Sequence, residues 1–232
     1  SDLTESGWRP TEIISDPGPL FNALRRVHVS WPHPLEQWDT GQLLENLRGH
    51  PAALCIVNLK RHAAALYEGA CAAGLRPLFL TTALCPAHRA EVLRKVKIRE
   101  PEMGCLLIAT QCVEAGVDLD FPAVFRAFAP LDALAQAAGR CNRNGASDLG
   151  QFVVFHYEDG GSRRYPDETY AQAAQVTRAL LEEAGGNLDL SDPAVFQRYF
   201  ARLYALDAGH EDDPLLQAIC ALDFPETAKQ YR

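Results

Sequence analysis

Gln136, Arg140 and Arg143 fall at i, i+4 and i+7 in the run Gln136-Ala137-Ala138-Gly139-Arg140-Cys141-Asn142-Arg143. On a helix that spacing puts one amide and two guanidiniums on a shared face. Arginine is permanently charged and forks onto phosphate oxygens through paired N–H groups. Two such groups beside a triphosphate can stabilise the charge that develops during phosphoryl transfer. The neighbours Ala133, Leu134, Ala135, Ala137 and Ala138 are short and apolar. Cations on such a segment, with no acid nearby in sequence, call for a partner from elsewhere.

A second run with chemistry in it is Thr110-Gln111-Cys112-Val113-Glu114-Ala115-Gly116-Val117-Asp118-Leu119-Asp120. It comes directly after the apolar stretch Gly104-Cys105-Leu106-Leu107-Ile108-Ala109, the strongest strand signal in the chain. In parallel α/β sheets ligands bind at the carboxyl ends of strands, so Thr110 and the residues after it are expected there. Thr110 can donate to a phosphate, and Gly116 permits a tight turn or close backbone approach. Asp118 can accept from a ribose hydroxyl or order the neighbouring arginines. The plainer alternative is a strand, a turn and a solvated acid.

The elements that must position these residues read as short β-branched or apolar runs alternating with helical ones. That pattern belongs to an α/β domain with a mainly parallel sheet. Strands are expected at 26–31, 53–59, 78–82, 104–110, 124–128 and 151–156. Helices are expected at 34–49, 61–73, 86–99 and 133–140, the second stopping at Gly74. Residues 1–20 read as an entry segment. After Gly160-Gly161 the character changes to helices at 166–185, 193–206 and 214–222, so a boundary is placed near 160. The organisation expected is an entry segment at 1–20, a core domain at 21–160 and a helical extension at 161–232 that leads toward a further domain.

Bulk properties narrow the field. A chain of 232 residues buries a core without disulfides or metals. Its seven cysteines are widely spaced and form no C-x-x-C pair, which argues against a zinc site or disulfide framework and for a reducing, cytoplasmic setting. No apolar run reaches the length of a membrane span. The net charge of −8 argues against a general DNA-coating module. It weighs less against a protein that grips phosphates only in a cleft between domains. His28, His33 and His50 lack metal spacing. Trp8, Trp31 and Trp38 are expected to pack rather than stack on bases, and Glu211-Asp212-Asp213 to be a surface loop. The chain begins at Ser1 and its one methionine is Met103, so a fragment of something longer is expected.

The two motifs lie about twenty residues apart with one strand between them, and together they resemble motifs V and VI of superfamily 2 helicases. Many of those proteins read Gln-Arg-x-Gly-Arg-x-Gly-Arg; here Ala137 replaces the first Arg and Asn142 the second Gly. Gly139-Arg140-Cys141-Asn142-Arg143, with Thr110-Gln111 and Val113-Glu114-Ala115-Gly116-Val117-Asp118 upstream, resembles the CRISPR-associated helicase-nuclease of type I systems. Ile56-Val57-Asn58-Leu59-Lys60 resembles that family's motif IV strand. Leu80-Thr81-Thr82-Ala83-Leu84-Cys85-Pro86-Ala87-His88-Arg89 resembles its Ser/Thr-x-x-x-Cys-Pro-x-His-Arg segment. Pro122 stands where an acid is expected after Asp120-Phe121, and Thr82 where Ser is usual. The resemblance runs over roughly residues 20–160.

This resemblance implies a RecA-like three-layer second motor domain, followed by the helical extension. It implies ATP with Mg2+ as cofactor, shared with a first RecA-like domain. Gly116, Asp118, Arg140 and Arg143 would meet the nucleotide, with Gln136, Arg140 and Arg143 catalytic and Arg143 the finger. Asn58, Lys60, Thr81, Thr82 and Thr110 would track single-stranded DNA, and Arg89, Arg94, Lys95, Lys97 and Arg99 form a basic helix face nearby. The implied activity is 3′-to-5′ movement on single-stranded DNA, recruited to an RNA-guided surveillance complex and joined to an HD-type nuclease domain. The chain has no Gly-x-x-x-x-Gly-Lys-Ser/Thr loop and no Asp-Glu-x-His box. Such parts are expected in the partner domains, and this chain alone is expected to be inactive. Alternatives are the motor half of a repair or restriction helicase, or a non-catalytic nucleotide- or protein-binding module. A dinucleotide-binding dehydrogenase lacks its Gly-x-Gly-x-x-Gly here.

Overall fold

In the computed structural model of the protein, alternate residues of the strand Ala52–Ile56 face opposite ways and both sets are buried. Leu54 and Ile56 join one apolar cluster, and Ala53 and Cys55 another. A strand buried on both faces reads as a continuous apolar run rather than an alternation, which is why 53–57 stands out in the sequence. The structure describes residues 13–14, 18–23, 25–98, 104–114, 116–145, 149–207 and 214–230.

The strands are β1 (Val27–Ser30), β2 (Ala52–Ile56), β3 (Leu78–Leu80), β4 (Cys105–Ala109), β5 (Ala123–Ala127) and β6 (Gly150–Phe155). They form one six-stranded sheet in the order β1-β6-β5-β2-β4-β3. Every pairing is parallel. The helices are α1 (Gly18–Ala23), α2 (Thr40–Arg48), α3 (Lys60–Ala72), α4 (Pro86–Lys97), α5 (Leu131–Ala138), α6 (Glu168–Glu183), α7 (Pro193–Asp207), α8 (Pro214–Cys220) and α9 (Phe224–Gln230). Leu43, Leu44 and Leu47 of α2 and Ala63, Leu66 and Ala70 of α3 cover one face. Val96 of α4, Leu131, Leu134 and Ala137 of α5 and Ala174 and Leu180 of α6 cover the other. The result is the expected three-layer α/β architecture.

The first two helices of the helical extension, α6 and α7, pack directly on the sheet. Ala174, Val176, Leu180 and Leu181 of α6 and Val195 and Tyr199 of α7 belong to the same cluster as Leu54 and Val124 of the sheet. The helix expected from Pro34 begins only at Thr40. Trp38 instead extends the sheet edge, donating to the His156 carbonyl at 2.8 Å, with its ring stacked on Phe155 at 5.6 Å. Asp39 then caps α2: its carboxylate accepts from the Gln42 N–H at 2.8 Å and the Gln42 side chain returns the bond at 3.1 Å. Trp31 packs half-buried and donates to the Leu188 carbonyl at 3.1 Å. Most of 1–20, Trp8, Arg99 and the run Glu211-Asp212-Asp213 lie outside the described residues.

Candidate functional site

β4 and β5 lie on either side of β2, so the chain must step over β2 between them. All strands being parallel, it must also return from the carboxyl edge to the amino edge. Residues 110–122 do both. Thr110 leaves β4 at the carboxyl edge, its N–H bonded to the Leu80 carbonyl at 3.2 Å. Phe121 and Pro122 arrive at the amino edge, where the Phe121 N–H meets the Arg140 carbonyl at 3.0 Å and the Pro122 carbonyl accepts from Gln151 at 2.9 Å. The expectation that this whole run sits at the carboxyl edge is therefore corrected. Thr110 does, while Asp118 and Asp120 lie beside the arginine loop.

That loop is not a helix face. α5 ends at Ala138, and the Arg140 and Cys141 amides turn back to the Ala137 and Ala138 carbonyls at 2.9 Å each. Asn142 takes a left-handed conformation, φ 47°. Gln136, Arg140 and Arg143 thus lack the shared face that their spacing suggests, because the chain tightens into i→i+3 turns after Ala138 and then turns left-handed at Asn142. Asn142 stands where the helicase pattern has glycine, and asparagine tolerates the same backbone region. Its side chain donates to the Arg26 carbonyl at 3.0 Å, and Arg26 in turn donates from Nη1 to the Arg143 carbonyl. A Cβ on Gly150 would lie 2.6 Å from Cys141 Sγ, so the buried thiol and the glycine of β6 are fitted to each other.

The two arginines differ sharply. Arg143 projects with its side chain 46% exposed, its Nε 3.2 Å from Asp118 Oδ1. Its backbone is anchored, since Asp120 accepts from the Arg143 and Asn144 amides at 2.9 and 3.2 Å. Arg140 is buried and folds under the loop, donating from Nε to the Val113 carbonyl at 3.1 Å and from Nη2 to that of Glu114 at 2.5 Å. Burial, then the nearby Arg143, lowers its pKa. Gln136 is exposed. Gly116 has φ +71° with nothing within 4 Å of a Cβ, which leaves open backbone beside Asp118. An exposed fork, an exposed acid and open backbone suit a nucleotide's phosphate and ribose.

At the carboxyl edge a groove of about 640 Å3 gathers Asn58, Lys60, Thr82, Thr110 and Gln111. Lys60 and Thr82 are exposed there. Thr81 and Asn58 turn inward: Thr81 Oγ1 accepts from the Ala83 amide at 3.2 Å, and Asn58 Nδ2 donates to the Phe128 carbonyl at 2.9 Å. On α4, Arg94 is paired with Glu91 at 2.8 Å, as on an ordinary solvated helix. Among the described residues no cluster of His, Cys, Asp and Glu converges as a metal site. No described helix is long and apolar enough to cross a membrane.

Sequence reasoning misses one cluster. Arg126 of β5 is fully buried, with its Nε 2.8 Å from Glu114 Oε1. Its Nη1 donates to Asn58 Oδ1 at 2.6 Å and to the Ala127 carbonyl at 3.0 Å, and its Nη2 to the Tyr170 hydroxyl at 2.7 Å. Burial works against the charge on Arg126, but Glu114 and Tyr170 outweigh it and its pKa is raised. The available signal is an arginine inside the apolar run Val124-Phe125-Arg126-Ala127-Phe128.

A parallel sheet covered by helices on both faces, with this crossover and this arginine loop, is a RecA-like α/β domain. Residues 50–146 match the family model for the CRISPR-associated nuclease/helicase Cas3, C-terminal. The CRISPR-associated nuclease/helicase Cas3 of Haloferax volcanii is 45% identical over 75 residues, 32% of this chain and 8% of that protein. The crystal structure of T. fusca Cas3-ATP aligns with TM-score 0.57 at 21% identity, over 89% of this chain and 26% of that one. A chain in the structure of a CRISPR RNA-guided surveillance complex, pre-nicking, aligns with TM-score 0.56 at 21% identity, over 89% of this chain and 28% of its own length. These solved structures share the fold, and the chain spans only a small part of each relative. Over residues 50–146 the chain is similar to the Cas3 C-terminal family, and its fold is RecA-like.

Proposed function

We propose that the chain is the second motor domain of an ATP-dependent single-stranded DNA translocase that acts with a nuclease in type I CRISPR interference, degrading invading DNA. The observation that carries the reading is Arg143, a half-exposed guanidinium on a loop anchored by Asp120. Cleavage of the terminal phosphate of ATP supplies the driving free energy. Arg143 is the finger toward that phosphate, while Gly116 and Asp118 face the ribose side. Arg140 braces the loop from beneath, and Gln136 stands exposed at the end of α5. Mg2+ would be held with ATP by a first RecA-like domain of the same protein, which also carries the phosphate loop. Lys60, Thr82 and Thr110 line the path of the strand, with Asn58 and Thr81 shaping it from inside. The other partners are an HD nuclease domain of the same protein and the RNA-guided surveillance complex.

The test is made on the full-length protein. Arg143→Ala is expected to lower DNA-stimulated ATP hydrolysis by about a thousandfold or more, the scale of an arginine finger, while single-stranded DNA still binds. A normal stimulated rate would remove the finger and with it this reading.

A further inference from the structure

Arg126 lies near the carboxyl end of β5, and its bonds lead by two routes, one toward the arginine loop and one toward the groove. On one route it meets the Glu114 carboxylate, in the turn just after Thr110, and the Glu114 carbonyl is held by Arg140 of the arginine loop. On the other it holds Asn58 Oδ1, and the Asn58 carbonyl accepts from Gln111 Nε2 at 2.9 Å. The Tyr170 hydroxyl brings in α6 of the helical extension. Desolvating an arginine and a glutamate costs several kcal/mol per ion, and apolar side chains of similar volume often fill such a place as stably. What apolar side chains cannot do is tie separate segments by directional bonds. Between Arg140 and the Asn58 carbonyl every link is a hydrogen bond or ion pair between named atoms, or the short backbone and side chain of one residue.

We propose that Arg126 is a positioning residue that couples the nucleotide corner to the strand groove. A displacement of the arginine loop moves the Glu114 segment through Arg140. Arg126 passes that displacement to Asn58, and so to the start of α3 at Lys60 in the groove. The inference rests on the proposed function, and its test separates the two.

The decisive variant of the full-length protein pairs Glu114→Leu with Arg126→Met, which removes both buried charges together. It is expected to fold, to hydrolyse ATP at the unstimulated rate and to bind single-stranded DNA. The stimulation of hydrolysis by DNA should fall about tenfold, within the usual range of coupling between sites. Arg126→Lys keeps a charge opposite Glu114 but cannot span Asn58 and Tyr170 together. It decides the matter if the paired variant does not fold, with an expected loss of about threefold. Full stimulation in either folded variant overturns the proposal. If the parent protein shows no DNA-stimulated hydrolysis, the proposed function fails, and coupling is read by hydrogen exchange instead. Arg140→Lys should then speed amide exchange at Leu59–Arg61 as well as at Gln111–Glu114. Acceleration confined to Gln111–Glu114 overturns the coupling.

Discussion

Arg143 Nε lies 3.2 Å from Asp118 Oδ1, joining the arginine loop to the crossover between β4 and β5 at a point where both side chains are open to solvent, 46% and 75% exposed. An ion pair so exposed adds little to stability, from nothing to about 1 kcal/mol. Its consequence lies in aim, because it holds one face of a long side chain in a fixed direction. Asp118→Asn should leave the melting temperature of the chain within about 2 °C. In the full-length protein it should lower the ATPase rate about tenfold through lost orientation. An unchanged rate would mean that Asp118 does not set the direction of Arg143.

Asn142 supports the same loop from its backbone. At φ 47° an alanine costs about 1–2 kcal/mol, and losing the bond to the Arg26 carbonyl adds about 1 kcal/mol. Glycine adopts that backbone without strain and loses the bond. Asn142→Ala should therefore destabilise the chain by about 2–3 kcal/mol and Asn142→Gly by about 1 kcal/mol in urea unfolding. Equal losses would show that the left-handed backbone is not what selects asparagine.

The strands are legible in the sequence because five are apolar runs bounded by turn residues and β1 alternates, with Val27 and Val29 half-buried and His28 and Ser30 exposed. That Thr110 and Asp118 serve opposite edges is not legible, since it depends on strand order and not on spacing. The helical spacing of Gln136, Arg140 and Arg143 misleads for a local reason: the helix gives way to tighter turns after Ala138 and to a left-handed residue at Asn142. The start of α2 is available in Asp39-x-x-Gln42, a capping pair that outranks Pro34. Arg126 is hidden by its own strand, where a single charge among apolar residues reads as part of the run.

His156 sets an acid limit on the fold. Burial, then Arg178 and Arg164, pushes its pKa down to about 4, with Glu36 opposing. The unfolded chain takes up this proton below about pH 6.5. Between that pH and about 4 the unfolded state binds more protons, so stability falls as the pH falls. His62, also lowered chiefly by burial, contributes a slope of the same sign. His156→Phe keeps a ring against Phe128, whose centroid lies 4.8 Å away, and removes this one proton. Urea midpoints at pH 7 and 4.5 should differ less in this variant than in the parent, and an equal difference would refute the assignment.

Thr110 offers the cleanest separation of the two edges. It is nearly isosteric with valine and lies buried at the floor of the groove, and among the described residues its hydroxyl has one long contact, to Cys112 Sγ at 3.7 Å. Thr110→Val should therefore fold normally. If the hydroxyl serves the strand in the groove, the loss is one hydrogen bond, about 1 kcal/mol, which is about fivefold in stimulation by single-stranded DNA. Nucleotide affinity in the full-length protein should hold, because Asp118 and Arg143 sit at the other edge. Thr81→Val is the matched control. That hydroxyl is fully buried and caps the Ala83 amide, so its removal should lower stability and leave stimulation per folded molecule intact. Equal loss of stimulation in both variants would mean that the groove responds to general loosening rather than to a contact at Thr110.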